Sequence, residues 1–242
     1  MNRRSNAALY GKGVFTTIAV RGGHPMLLEK HIDRLWFDAA RIGIDLSHTR
    51  DGDLRQKINA AAGRAKDGRL RVTIFDETND ERWGGDGTPQ LSMEIIAGDR
   101  RPQSALRLAV SPYAVNTSSP LAGIKSCNYL EGLLALEEAR VRGYDEAVRL
   151  NEKGEITAAC LANIFWRSEG RLYTPSLQTG CLAGTTRELL LETVSAAEVE
   201  AGTEALERAE AIYLTSAGLG FVAAAEINGR PLDHKDLPAE LF

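Results

Sequence analysis

Lys125 is the residue of this chain whose neighbours most change what its side chain can do. It lies in Leu121-Ala-Gly-Ile-Lys-Ser-Cys-Asn-Tyr-Leu130, an apolar, glycine-containing run just ahead of a helical pattern. An ammonium in apolar surroundings loses solvation, so its pKa falls and the neutral amine becomes a nucleophile able to form a Schiff base with a carbonyl. The same run also fits a long side chain lying along apolar surface with its head in water. Arg34, in His31-Ile-Asp-Arg-Leu35, falls on helical spacing and offers a planar fork suited to a phosphate dianion. A surface arginine on an amphipathic helix would read the same way. Gly184-Thr185-Thr186 opens another helical pattern, where unsatisfied N–H groups and the positive dipole end favour an anion, although a simple Gly-Thr helix start gives the same letters.

Other groupings fail on spacing. Gly11-Lys12-Gly13 begins like a dinucleotide fingerprint, but the sixth position is Thr16 and a strand follows where the phosphate needs a helix. Gly180 to Thr186 has its glycines too close for a nucleotide-triphosphate loop and lacks the lysine. His24, His31, His48 and His234 show no ligand spacing, so no metal is expected. Cys127, Cys160 and Cys181 are separated by 33 and 21 residues, which makes neither a disulfide framework nor a metal pair. Cys127 reads as a small buried residue.

The elements that must position these groups follow from periodicity. Strands are expected at Val14–Val20 and Pro25–Leu28 around a Gly22-Gly23 turn, then helices over Glu29–Arg41 and Leu54–Lys66. Arg69–Phe75, Leu91–Ala97 and Ala105–Ser111 read as strands, with Asp76–Pro89 a loop. The polar, Pro-bounded stretch from Pro112 to Pro120 has no period and reads as an interdomain linker. Beyond it the pattern gives a helix over Tyr129–Arg142 and strands at Glu146–Leu150, Ile156–Ala162, Ile164–Arg167 and Arg171–Tyr173. Helices over Thr185–Ala197 and Thr203–Arg208 and a strand at Ala211–Ser216 complete it. Strands and helices without regular βαβ alternation imply an α+β chain of two lobes: a small N-terminal domain over residues 1–111, the linker over 112–120, and a larger domain over 121–242 carrying the lysine.

Composition sets the outer limits. The chain has 242 residues, 43% of them apolar, with 29 Lys plus Arg against 33 Asp plus Glu and a net charge of −4. That balance argues against a surface built for nucleic acid or an anionic membrane. No run approaches a membrane span and no apolar region follows the basic start, so a cytoplasmic protein is expected.

Four segments resemble the class IV aminotransferase family, which includes branched-chain and D-amino-acid aminotransferases and 4-amino-4-deoxychorismate lyases. In order they are YGKGVFTTIAV with LLEKHIDRL, then LAGIKSCNYL, then DEAVRLNEKGEITAACLANIFW, then LYTPSLQTGCLAGTTRELLLE, together spanning most of Tyr10 to about Val222. The resemblance implies a two-lobed fold like that of D-amino-acid aminotransferase and the cofactor pyridoxal 5'-phosphate. It implies a homodimer acting on small amino and 2-oxo acids. It makes Lys125 the Schiff-base lysine and proton shuttle, and Arg34 a phosphate ligand. Gly184, Thr185 and Thr186 become a phosphate cup, Ser216 and Ala217 a second phosphate contact, and Tyr129 a neighbour of the cofactor. Amino transfer is the expected reaction. Release of pyruvate and 4-aminobenzoate by a lyase is the alternative, since ANIFWRSEGRLYTP looks much like lyases of that kind, and a non-catalytic cofactor-binding or interaction protein is the second.

Two departures stand out. Where the family carries a glutamate against the pyridine nitrogen, this chain has Ala158. Glu155, three residues away, points to the opposite face of a strand and does not replace it. The ring then has another partner, the reaction relies less on electron withdrawal by the ring, or activity is lost. Family members also usually carry an additional strand before YGKG, so an edge strand of the small lobe is expected to be absent or trimmed.

Overall fold

The computed structural model describes residues 4–47, 51–99 and 105–233, which leaves His48 and His234 outside the described residues. Two compact units emerge, each with its own sheet. The first comprises Met1–Arg100 with Ile124–Tyr129, the second Arg101–Gly123 with Leu130–Phe242.

In the first unit, α1 (Asn6–Tyr10) leads into β1 (Gly13–Arg21), β2 (His24–Pro25), α2 (Leu28–Arg41), α3 (Asp51–Ala65), β3 (Gly68–Asp76) and β4 (Leu91–Gly98). The strands form an antiparallel sheet in the order β2-β1-β3-β4. Period-2 alternation sends Val14, Ile18 and Val20 of β1 and Leu70, Val72 and Ile74 of β3 to one face, where Ile32, Leu35 and Ala39 of α2 and Leu54, Ile58 and Ala62 of α3 complete a core. Phe15 and Arg71 fall on the other face. β3 pairs with β1 along nearly its whole length, whereas β2 covers only Val20 and Arg21. The other edge of β1 is therefore open at its start, and residues 125–127 fill it: Phe15 N–H donates to the Lys125 carbonyl at 2.9 Å, and Cys127 N–H to Gly13 at 2.8 Å. Gly13 makes this approach feasible, since a Cβ there would stand 2.8 Å from the Ile74 carbonyl and 3.1 Å from Cys127 Sγ.

The second unit runs β5 (Leu106–Val110), α4 (Leu130–Val141), β6 (Glu146–Leu150), β7 (Ile156–Ala159), β8 (Asn163–Ser168), β9 (Arg171–Pro175), α5 (Thr185–Thr193), β10 (Ala196–Val199), α6 (Glu204–Arg208), β11 (Ala211–Ser216), β12 (Gly220–Ile227) and β13 (Arg230–Pro231). The sheet order is β10-β9-β8-β11-β12-β5-β6-β7, with β13 paired to β12. Leu108, Val148, Ile156, Ile164, Trp166, Ile212 and Leu214 build the main core on one face. On the other, α4 packs Ala135, Leu136 and Ala139 against Ala147 and Cys160, and a third cluster gathers Phe165, Leu190, Ala211 and Tyr213.

Three expectations differ from this arrangement. The strand Leu106–Val110 belongs with the second unit, because it pairs in parallel with β6 and β12, and the lysine segment belongs with the first. Pro112–Pro120 is not a free connector: Val115 N–H donates to the Leu150 carbonyl, and Thr117 N–H and Oγ1 both donate to the Glu152 carboxylate. The helix from Thr185 stops at Thr193 rather than Ala197, because Ala196–Val199 closes the open edge of β9 as a parallel strand. Two strands escaped the sequence reading, Gly220–Ile227 and the two-residue Arg230–Pro231. Gly220–Ile227 is β12, whose alanine-rich middle lacks the β-branched density that marked its neighbours.

Candidate active site

In the first unit the groups converge on one face of α2. His31, Arg34 and Asp38 fall at i, i+3 and i+7, beside the apolar stripe that anchors the helix. Asp38 is buried and its carboxylate accepts the Lys125 backbone N–H at 3.1 Å, which ties the lysine segment to α2. Arg34 Nη2 donates to Thr16 Oγ1 at 2.7 Å, and that oxygen lies 2.7 Å from His31 Nδ1. The Thr16 hydroxyl thus links the guanidinium to the imidazole. Burial first, then the nearby Arg34 and Lys125 charges, hold His31 down to about 3. The carboxyl of Asp38 is pushed up by burial, against the opposing pull of the Lys125 N–H and the surrounding cations.

The Lys125 side chain meets two aromatic faces. Its Nζ lies 4.5 Å from the centroid of Phe15 and 5.1 Å from that of Tyr129, and the two rings meet edge to face at 5.6 Å. Arg71 also lies over the Phe15 ring, 3.5 Å from the centroid. Desolvation lowers the Lys125 pKa to about 7, helped by repulsion from Arg34 and Arg71 and opposed by Asp38. At neutral pH this amine is populated in both protonation states, which suits a nucleophile that must also carry protons. Cys127 is half-buried rather than buried, and desolvation pushes its thiol up, so it is a poor nucleophile.

In the second unit the N-terminal end of α5 has Gly184 as its cap, which supplies no side-chain hydrogen bond, and Thr185 and Thr186 are both buried. Asn163, at the start of β8, donates to the Leu182 carbonyl at 2.8 Å and presses so close that a Cβ on Gly184 would stand 1.9 Å from its Oδ1. A side chain there would force Asn163 to move. Arg187 anchors the helix by donating to the Pro175 carbonyl at 2.8 Å and pairing with Glu198. Thr215, paired with Asn163 across β11 and β8, is fully buried, and its Oγ1 has no hydrogen-bond partner. Next to it, Ser216 Oγ accepts the Leu219 N–H at 3.2 Å and closes the turn containing Ala217.

Residues 13–227 match the model of the family described as amino-transferase class IV. The chain belongs to that family. Its members are enzymes that depend on pyridoxal phosphate. Among curated relatives, the aminodeoxychorismate lyase of Bacillus subtilis is 27% identical over 244 residues, covering 90% of this chain and 78% of its own length. The D-alanine aminotransferase of Bacillus licheniformis is 25% identical over 233 residues, covering 92% and 81%. The crystal structure of a branched-chain aminotransferase from Thermoproteus uzoniensis with norvaline superposes with a TM-score of 0.88 at 27% identity, covering all of this chain and 86% of that one. The α+β expectation and the family resemblance both hold.

The residues of a class IV enzyme here fit the cofactor chemically. In the first unit, Lys125 offers an amine populated in both protonation states at neutral pH, and Arg34 offers a guanidinium. In the second, taken by itself, α5 starts with no capping side chain and Thr215 carries a buried hydroxyl without a partner, both suited to an anion. Ala158, where the family resemblance puts a carboxylate, offers none, and Glu155 Oε2 accepts from Asn151 Nδ2 at 2.6 Å. Among the described residues, no cluster of His, Cys, Asp and Glu could hold a metal, and no helix is long and apolar enough to cross a membrane.

The sequence reading named Lys125, Arg34 and Tyr129 but missed Thr16, Asp38, Phe15 and Arg71, which reach the lysine through strand register or helix phase. The polar i, i+3, i+7 stripe on α2 was a usable signal for Asp38. Nothing local marked Thr215 or Asn163, whose pairing depends on two strands far apart in the chain.

Proposed function

We propose that this class IV enzyme transfers the amino group of a small amino acid to a 2-oxo acid. When bound, pyridoxal phosphate supplies an aldehyde that takes up amines and a conjugated ring that draws electrons from the substrate α-carbon. The observation that carries the reading is the Lys125 amine, lowered to about 7 between two aromatic rings. Its Nζ is the amine the chain would offer to the aldehyde, and the base and then the acid that would move the substrate α-proton. Arg34, fixed through Thr16, offers charge to the phosphate. In the second unit, Gly184, Thr185 and Thr186 offer backbone donors suited to a phosphate, and Ser216 and Ala217 a turn, in the roles the family resemblance gives them. Tyr129 offers a ring face next to the amine. Asp38 holds the lysine backbone in place without touching the reacting atoms.

Lyase activity on 4-amino-4-deoxychorismate is the second reading, favoured by the ANIFWRSEGRLYTP segment and by the similarity to the Bacillus subtilis lyase. A cytoplasmic homodimer belongs to the same proposal and rests on family resemblance. The deciding experiment gives the protein, loaded with pyridoxal phosphate, panels of D- and L-amino acids with 2-oxoglutarate, and separately 4-amino-4-deoxychorismate. Glutamate formation from an amino acid supports amino transfer. Pyruvate with 4-aminobenzoate, and no glutamate, replaces it by the lyase, and no product from either panel leaves the non-catalytic alternative.

A further inference from the structure

The missing carboxylate at Ala158 has a neighbour of opposite sign. β6 and β7 are antiparallel, and Arg149 is the direct partner of Ala158. Directly opposed residues project to the same face of a sheet. That face is also the one on which Ala147 and Cys160 meet α4. Ala158 is half-buried, while Ile156, Thr157, Ala159 and Cys160 around it are buried, so its methyl group leaves room on that face. The Arg149 guanidinium stands beside this gap with a side chain only 11% exposed. Its Nη2 makes two long contacts, 3.3 Å to the exposed Glu131 carboxylate and 3.4 Å to the Ala114 carbonyl. Its Nε is buried and has no hydrogen-bond partner.

A buried guanidinium N–H without an acceptor is costly, and arginine can only donate. The atom that satisfies it must carry a lone pair. We infer that Arg149 takes over the ring-nitrogen position vacated at Ala158 and donates to the pyridine nitrogen of the cofactor. The inference rests on the reading that the chain binds pyridoxal phosphate. Its consequence is opposite to that of a glutamate: a carboxylate holds a proton on the ring nitrogen, whereas a permanent donor requires that nitrogen to be unprotonated. The ring then draws less electron density from the α-carbon, and more of the work falls to Lys125. Arg149 and Ala158 form one exchange, with the acceptor removed on one strand and a donor placed opposite it on the next.

The test uses full-length protein loaded with pyridoxal phosphate labelled with 15N in the ring. Wild-type protein should show the nitrogen resonance of an unprotonated, hydrogen-bonded pyridine from pH 6 to 9. Arg149→Leu should weaken cofactor binding about tenfold, as expected for losing one charged hydrogen bond, and move that resonance. Arg149→Lys keeps the charge and most of the stem, and with them the fold, but lacks the planar fork, so binding should weaken about threefold. Arg149→Leu combined with Ala158→Glu should give a protonated nitrogen. A protonated nitrogen in the wild type overturns the inference, as do binding and resonance unchanged in both single variants. Failure of the cofactor reading is distinct: the wild type would then take up no pyridoxal phosphate at all.

Discussion

The α2 face of the first unit and the β6–β7 edge and α5 start of the second treat buried polar groups differently. Around Lys125 the polar groups are tied to one another. Asp38 receives the lysine backbone, Thr16 receives Arg34, and His31 stays neutral beside Thr16. In the second unit, groups of the same kind are left open: Thr215 Oγ1 and Arg149 Nε are buried without partners, and α5 begins with no side-chain cap. Tied networks fix geometry and tune a reactive amine. Open valences are costly in an isolated chain and recover that cost when a ligand supplies the missing acceptors. The first region therefore sets the reactive amine, and the second leaves donors open for a ligand.

The largest break in this comparison is Arg34→Ala. It removes a charge from the Lys125 network, leaves Thr16 without its donor and lets the Lys125 pKa rise. Affinity for pyridoxal phosphate should fall about 100-fold, read by spectral titration, as expected for losing a multidentate charged contact. A loss below threefold would mean that Arg34 serves only the fold. Gly184→Ala strikes the open region instead. The added methyl meets Asn163 Oδ1, and the shift that follows should cost about 2 kcal/mol in urea unfolding and weaken the cofactor about tenfold. Unchanged affinity would remove the α5 start from the site.

The smallest effect concerns the cost of the reactive amine itself. Lys125 has a lower pKa in the fold than in the unfolded chain, so between about 7 and 10.5 the unfolded state binds more protons and stability rises with pH. Replacing it by methionine in cofactor-free protein should stabilise the fold by roughly 2 kcal/mol at pH 6, and the gain should fade towards pH 10. A gain independent of pH would show that desolvation of the amine is not its source.

These regions also differ in how well the sequence disclosed them. β1 and α2 were legible because period-2 and period-3.6 patterns set their faces locally; Lys125 stood out in its apolar run, and the roles of Arg34 and Tyr129 came from the family resemblance. Asp38 and Arg71 were not read, since each matters only through helix phase or cross-strand register. Ala158 was read as a loss, but its partner Arg149 became visible only with the register of β6 and β7. The strand Ala196–Val199 was hidden for the same reason, because its helix-compatible letters are overruled by the open edge of β9.

The central claim is that Lys125 is the amine that takes up the cofactor. Wild-type protein incubated with pyridoxal phosphate, reduced with borohydride and digested should carry the pyridoxyl group on the peptide containing Lys125, and Lys125→Ala should carry none. A pyridoxyl group on another lysine, or an equal yield from Lys125→Ala, would contradict the account.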